Sequence, residues 1–244
     1  MFNAIEIEIN HGCNKACSYC PVSTLERIEK GHMSLEVYEE LISQLKDLNY
    51  EGRISYDFYN EPTLSPHLEN YIVLAKAALP KTSVELYSNG TLLSLERFKK
   101  LNAAGVDKFI ITKHEGIGTY IFEDTMTKLS AAEMSKIQYR DFTELRLTNR
   151  GGVLPHIPHE TEAINLPCMI PSMMMTVTVN GNVVPCFEDF YQKNQMGNIM
   201  EKKIKDIWLS ENYVYFRKKL FFGKRAEFEA CKDCSRLEVL PWAN

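Results

Sequence analysis

Cys13, Cys17 and Cys20 stand in the pattern C-x-x-x-C-x-x-C. Three thiolates can hold three irons of a 4Fe–4S cubane and leave the fourth iron without a protein ligand. Clusters used only for electron transfer take four cysteines. An open iron implies a ligand from solution, just as catalytic zinc sites keep a vacant position where structural ones close. A zinc site or a redox pair could share the spacing.

Four more cysteines remain of the seven in the chain. Cys168 and Cys186 bracket an expected hairpin, and Cys231-x-x-Cys234 closes the sequence. Taken alone, C-x-x-C after a helix reads as a zinc site. An odd total fits poorly with a disulfide framework and suits a reducing compartment.

C-x-x-x-C-x-x-C with an aromatic residue, Tyr19, before the last cysteine resembles the signature of radical S-adenosylmethionine (SAM) enzymes. The resemblance implies that the open iron chelates the amino and carboxylate groups of SAM, whose reductive cleavage releases a 5′-deoxyadenosyl radical. Cys168, twelve residues, Gly181, four residues and Cys186 resemble the hairpin of the Twitch auxiliary-cluster domain, as does Met196-Gly197-Asn198-Ile199 leading to Ile207-Trp208. On that reading Cys168, Cys186, Cys231 and Cys234 saturate a second 4Fe–4S cluster, which moves electrons and does not grip substrate. Over nearly its full length the chain is similar to Twitch-bearing radical SAM dehydrogenases of aminoglycoside biosynthesis. The segments are Gly52-Arg53-Ile54-Ser55-Tyr56, Phe58-Tyr59-Asn60-Glu61-Pro62, Asn149-Arg150-Gly151-Gly152 and Pro185-Cys186-Phe187-Glu188-Asp189-Phe190. Such enzymes oxidise a ring alcohol to a ketone, so a polyol or aminocyclitol substrate and a flavodoxin- or ferredoxin-type reductant are implied.

The same resemblance assigns site residues. Glu61, in Asn60-Glu61-Pro62, matches a motif usually written Gly-Gly-Glu-Pro, which binds the methionine amino group; Tyr59-Asn60 replaces the glycines. An exposed loop glutamate is the alternative. Ser88 and Asn89 are expected to meet the ribose and carboxylate of SAM, or else to form a plain Asn-Gly turn. Lys113 would reach the SAM carboxylate, or stay solvated. Arg150 would approach the hydroxyl being oxidised; a guanidinium is almost never deprotonated, so its expected role is orientation and charge stabilisation. Glu188 would accept hydrogen bonds from substrate hydroxyls or a ring ammonium, or take the proton. Tyr59 adds a substrate contact or mere packing. His156 and His159 read as ordinary loop histidines, and His114 is a further active-site candidate.

These residues need a scaffold. Ala4–Asn10, Arg53–Tyr59, Ser83–Tyr87 and Lys108–Thr112 read as strands, with shorter ones at Lys136–Tyr139 and Glu144–Thr148. Helices are expected after Ser34, from Ser65-Pro66 to Leu79, and from Ser94 to a closing Gly105. Alternating strands and helices argue for parallel βα units. Six of them suit an open partial barrel over 1–150, since a full eight-unit barrel needs about 250 residues by itself. A linker over 151–167 then leads to a Twitch domain over 168–244, with an Asn180-Gly181 hairpin and one amphipathic helix from Ile204 to Phe222.

The 244 residues are 45% hydrophobic, enough for one sizeable core and a small second unit. A net charge of −4 argues against nucleic acid as the main partner. Met1 runs straight into Ile5-Glu6-Ile7-Glu8-Ile9, with no signal-like region and no membrane-length apolar run; a cytoplasmic protein is expected. The fate of a substrate radical narrows the chemistry. An epimerase usually needs a thiol to return hydrogen, and here all seven cysteines are assigned to clusters. A saturated second cluster suits one-electron oxidation of the radical, so dehydrogenation is favoured. An epimerase or peptide-modifying enzyme, or a non-catalytic metal-binding scaffold, are the rivals.

Overall fold

The computed structural model describes residues 1–116, 118, 120–157 and 165–237; His159 and the middle of the expected linker lie outside them. Four βα steps open the fold: Ala4–Ile7 (β1) and Leu35–Asp47 (α1), Arg53–Tyr56 (β2) and Leu68–Ala78 (α2), Ser83–Ser88 (β3) and Leu95–Ala104 (α3), Lys108–Lys113 (β4) and Tyr120–Met126 (α4). A short helix Ala131–Met134 (α5) and the strand Ile137–Asp141 (β5) follow. Beyond the crossover come Ile170–Met173 (α6), Met174–Val177 (β6), Asn182–Val184 (β7), Gly197–Asn198 (β8), Ile204–Leu209 (α7) and Glu211–Phe221 (α8).

All strands join one sheet in the order β5-β4-β3-β2-β1-β6-β7-β8. The first six in that order are parallel neighbours, while β7 and β8 pair antiparallel. Residues of one register alternate between faces. Ile5, Ile54 and Val84 form one row packed in the apolar core beneath the helices. The next row along, Thr176, Glu6, Ser55 and Glu85, is polar and faces the opposite side. That second face is the concave interior of the open barrel.

Local chemistry explains most boundaries. Ser34 and Ser94 accept hydrogen bonds from the amides of Val37 and Arg97, capping α1 and α3, and Gly105 ends α3 at φ 117°, where a Cβ is unwelcome. Four expectations need correction. The strand expected over Glu144–Thr148 is irregular chain, because Asp141 and Glu144 form a capping box that ends β5 in a 3-10 turn at Phe142–Glu144. The sixth parallel strand is β6, which lies beside β1. Helix α2 starts at Leu68, two residues past Pro66, because the Ser65 hydroxyl turns back to accept the His67 amide. The single helix expected over Ile204–Phe222 is two: Ser210 is extended and accepts the Tyr213 amide, so it ends α7 and caps α8. The hairpin also differs in detail. Only Gly181 has positive φ, 84°, and the Thr178 amide bonds Asn182 O at 2.9 Å, making a three-residue connection.

Gln44 of α1 binds the two ends together, donating to Ile199 O at 2.9 Å and accepting from the Ile204 amide at 2.6 Å. Among the described residues no helix is long and apolar enough to cross a membrane.

Candidate active site

The loops at the C-terminal ends of the parallel strands, where barrel enzymes place their chemistry, carry the first cysteine set. Cys13, Cys17 and Cys20 follow β1. Their loop is strapped to the loop after β2 by the Glu61 amide, which donates to Gly12 O at 2.9 Å. Asn89, after β3, donates to Asn14 Oδ1 at 2.8 Å and lies 3.6 Å from Cys13 Sγ. Tyr19 is buried, with its ring stacked on Phe142 at 5.7 Å and its hydroxyl 2.6 Å from His114 Nδ1. Burial, helped by Lys15, Arg140 and Arg150, pushes His114 down to about 4, so its ring is a neutral partner for Tyr19. Among the sequence candidates His114 is therefore a support for the cysteine loop.

Glu61 is 2% exposed and is no loose loop residue. Its Oε1 accepts from the Thr63 amide, the Thr63 hydroxyl and the Ser88 hydroxyl, and its Oε2 from the Asn89 amide. Three of these four donors crowd onto Oε1, so Oε2, with one donor, keeps a lone pair for a further partner. Burial raises its pKa while these donors hold it down. Asn60 donates to Asn10 Oδ1. Lys113 does not point alone into the mouth; its ammonium pairs with Glu123 at 3.0 Å.

Cys168, Cys186, Cys231 and Cys234 line one pocket of about 430 Å³, mouth included, together with Leu220, Arg225 and Arg236. An all-thiol donor set selects zinc or an iron–sulfur cluster. Zn–S bonds of about 2.3 Å would draw four sulfurs around a point, and among the described residues no three such side chains converge on a single-ion position. Burial raises each thiol, Cys234 to about 12, and neighbouring cysteines raise Cys186 and Cys231 further. Protons leave such thiols when metal arrives. Cys13 is likewise pushed up to about 11 by burial.

Between the two sets lie the three substrate candidates. Arg150 Nη1 is 4.0 Å from Glu188 Oε1, and its guanidinium sits 5.9 Å from the centre of the Tyr59 ring. Tyr59 is buried, packs edge-on against Phe190 at 4.8 Å, and lies within electrostatic range of Cys20 of the first set and Cys186 of the second. Its hydroxyl finds no hydrogen-bond partner among the described residues. An orphaned buried hydroxyl is costly, and Tyr59 carries that cost in this structure. Glu188, 3% exposed, accepts from the Thr148 hydroxyl at both oxygens and pairs with Arg236 at 3.5 Å.

The backbone that delivers Arg150 is strained by design of sequence. Arg150, Gly151 and Gly152 all have positive φ, 51°, 64° and 85°. A Cβ on Gly152 would lie 2.6 Å from Asp233 Cβ, and one on Gly151 2.8 Å from Ala230 O. Asn149 completes the junction, donating to Asp233 O and accepting the Ser235 amide. The Asn-Arg-Gly-Gly segment is thus a close-approach turn against the Cys231–Cys234 loop.

Several functional residues were missed in the sequence. Arg27 donates through Nη2 to both Glu8 oxygens at 2.8 and 2.9 Å and through Nη1 to Phe190 O. It thereby ties the first cysteine loop and β1 to the loop after Cys186. Glu6, Arg53, Asp57, Glu85 and Tyr87 form a charged cluster inside the barrel; burial and Asp57 hold Glu6 well above the usual carboxylate range, with Arg53 opposing. A signal for Glu6 and Glu8 was present in Ile5-Glu6-Ile7-Glu8-Ile9: acids alternating along a strand buried on both faces need a polar interior. Arg27 left no local pattern.

Comparison with known proteins agrees with this geometry. Residues 7–115 match the radical SAM superfamily, and residues 168–235 match the SPASM iron–sulfur cluster-binding domain. The chain is 41% identical, over 98% of its length and 95% of the relative's, to S-adenosyl-L-methionine-dependent 2-deoxy-scyllo-inosamine dehydrogenase of Niallia circulans. It is similar to the crystal structure of BtrN in complex with AdoMet and 2-DOIA, with TM-score 0.93 and 41% identity over 98% of this chain and 95% of that one. BtrN in an open conformation matches with TM-score 0.80 and 36% identity over 98% and 94%.

Proposed function

The chain belongs to the radical SAM superfamily, and from that premise we propose that it oxidises a secondary alcohol of an aminocyclitol to a ketone, with 2-deoxy-scyllo-inosamine as the first substrate to test. The observation that carries this reading is the Arg150–Glu188–Tyr59 group set between two complete cysteine sets. When bound, SAM and a three-cysteine 4Fe–4S cluster supply the hydrogen-abstracting radical, and a four-cysteine cluster supplies an electron acceptor.

The chain's own residues do the rest. Arg150 directs its guanidinium at the hydroxyl oxygen and stabilises negative charge that grows there as the proton departs. A guanidinium is almost never deprotonated, so Glu188 is the member of the pair able to take that proton, at Oε1 or Oε2. Thr148 bonds both Glu188 oxygens and Arg236 pairs with Oε1, which fixes the direction of the carboxylate. The Tyr59 hydroxyl donates to a second ring oxygen, relieving its own burial. Tyr19, Asn60, Glu61, Ser88 and Asn89 shape the SAM side, with the vacant Oε2 position of Glu61 aimed at the methionine ammonium and Lys113 at the rim. A cytoplasmic setting and a flavodoxin- or ferredoxin-type reductant complete the reading.

Anaerobic incubation with SAM, a reductant and 2-deoxy-scyllo-inosamine tests it. Ketone and 5′-deoxyadenosine formed in equal amounts are expected. Deuterium from heavy water at an inverted carbon, with no ketone, would instead identify an epimerase and overturn the proposal.

A further inference from the structure

We propose that the C-terminal turn of α8, centred on Phe221 and Phe222, is the docking surface for an acidic one-electron carrier protein that serves the second cysteine set. This rests on the dehydrogenase reading above.

The turn faces two ways. On its inner side Phe216 and Leu220 line the pocket of Cys168, Cys186, Cys231 and Cys234. Leu220 O accepts the Cys168 amide at 2.9 Å, so the helix is hydrogen-bonded to a cluster ligand. Arg225 also lines that pocket and donates to Pro167 O at 3.0 Å. On the outer side, one or two residues along, Phe221 and Phe222 are 51% and 63% exposed and pack edge-to-face at 5.2 Å. The two phenyls form an adjoining apolar pair on the surface of this turn.

The rim is charged. Arg217–Arg225 holds five basic residues and no acidic one, in a chain of net charge −4. Arg225 is buried, Arg217 donates to Trp208 O, and Lys219 is engaged by Glu227 at 2.8 Å. Lys218 and Lys224 are exposed and lie within ion-pair distance of no carboxylate among the described residues. An apolar centre with a cationic rim is the form of a small, electrostatically steered, transient interface. Its charge selects an acidic partner, and its backing by a cluster ligand selects one that exchanges electrons.

The electron count accommodates such a partner without a net oxidant. In one turnover the alcohol loses a hydrogen atom to the 5′-deoxyadenosyl radical, a proton to Glu188 and then solvent, and one electron. In the proposed route that electron leaves by way of the second set to an oxidised carrier, while a reduced carrier supplies the one that cleaves SAM. Alcohol and SAM become ketone, methionine, 5′-deoxyadenosine and a proton, and the carrier pool is unchanged.

The test is binding of oxidised flavodoxin to the iron-loaded chain, read by amide shifts of labelled flavodoxin at two salt concentrations and without substrate. The surface reversals Lys218→Glu/Lys224→Glu should weaken binding roughly tenfold at low salt, while Lys202→Glu/Lys205→Glu, exposed on the neighbouring segment, should leave it unchanged. With substrate, the first pair should slow repeated turnover and spare the first. Equal weakening by both pairs, no effect of either, or no binding by the unaltered chain would overturn the docking surface. Absence of ketone with binding intact would instead count against the dehydrogenase reading alone.

Discussion

Replacing Arg27 by methionine keeps the length of the side chain and removes its charge from a site where both partners are nearly sealed, 2% exposed for Arg27 and 0% for Glu8. Burial pushes Glu8 up to about 7 from 4.5, against the pull of Arg27. The folded state therefore keeps that proton where the unfolded carboxyl has released it. This contribution to stability is full below about 4.5 and is lost as pH rises through about 7. Above that point Glu8 is ionised and depends on Arg27, and removing one partner of a buried pair costs about 3–5 kcal/mol. Below it the variant loses only hydrogen bonds and the contacts of the guanidinium with Phe58, Tyr59 and Phe190 at 4.9, 5.5 and 5.1 Å, about 1–3 kcal/mol.

At about 2–4 °C per kcal/mol for a chain of this size, thermal unfolding of iron-loaded protein should show a deficit of roughly 6–20 °C at pH 8 and a clearly smaller one at pH 6. The double variant Glu8→Gln/Arg27→Met should recover much of the pH 8 deficit and lose the pH dependence, since no buried charge is left alone. A deficit equal at both pH values, or a double variant no better than the single one, would refute the buried-charge argument.

Glu188→Gln removes the proton acceptor while keeping the hydrogen-bonding shape, so ketone formation should fall by about 10²–10⁴-fold with iron content unchanged; near-normal turnover would move the proton role elsewhere. Gly152→Ala forces a Cβ to within 2.6 Å of Asp233 at φ 85° and should destabilise the protein by about 1 kcal/mol or more, with iron lost first from the second set; a melting curve and iron assay decide it, and unchanged values would show that the junction relaxes freely.

How much of this was legible in the sequence depended on how local the cause was. The cysteines were, because cluster ligation imprints spacing. Ser34, Ser94 and Gly105 were, because a cap acts within four residues. Arg150 and Glu188 share no local pattern, and their meeting at 4.0 Å was reached only through resemblance. Leu145 and Leu147 invited a strand over Glu144–Thr148, but the capping box just before them had already turned the chain. Ser210 fits an amphipathic pattern while breaking the helix with its own side chain. The place of β6 beside β1 and the reach of Arg27 to Phe190 are long-range facts that no window of sequence holds.

The account stands on two separate clusters in one chain, so the decisive measurement is Mössbauer spectroscopy with iron and sulfide analysis on anaerobically prepared protein. The unaltered chain should hold about eight irons as two cubanes, and Cys231→Ala/Cys234→Ala about four, with SAM cleavage retained and ketone lost. A single cubane in the unaltered chain, or full ketone production by the double variant, would contradict it.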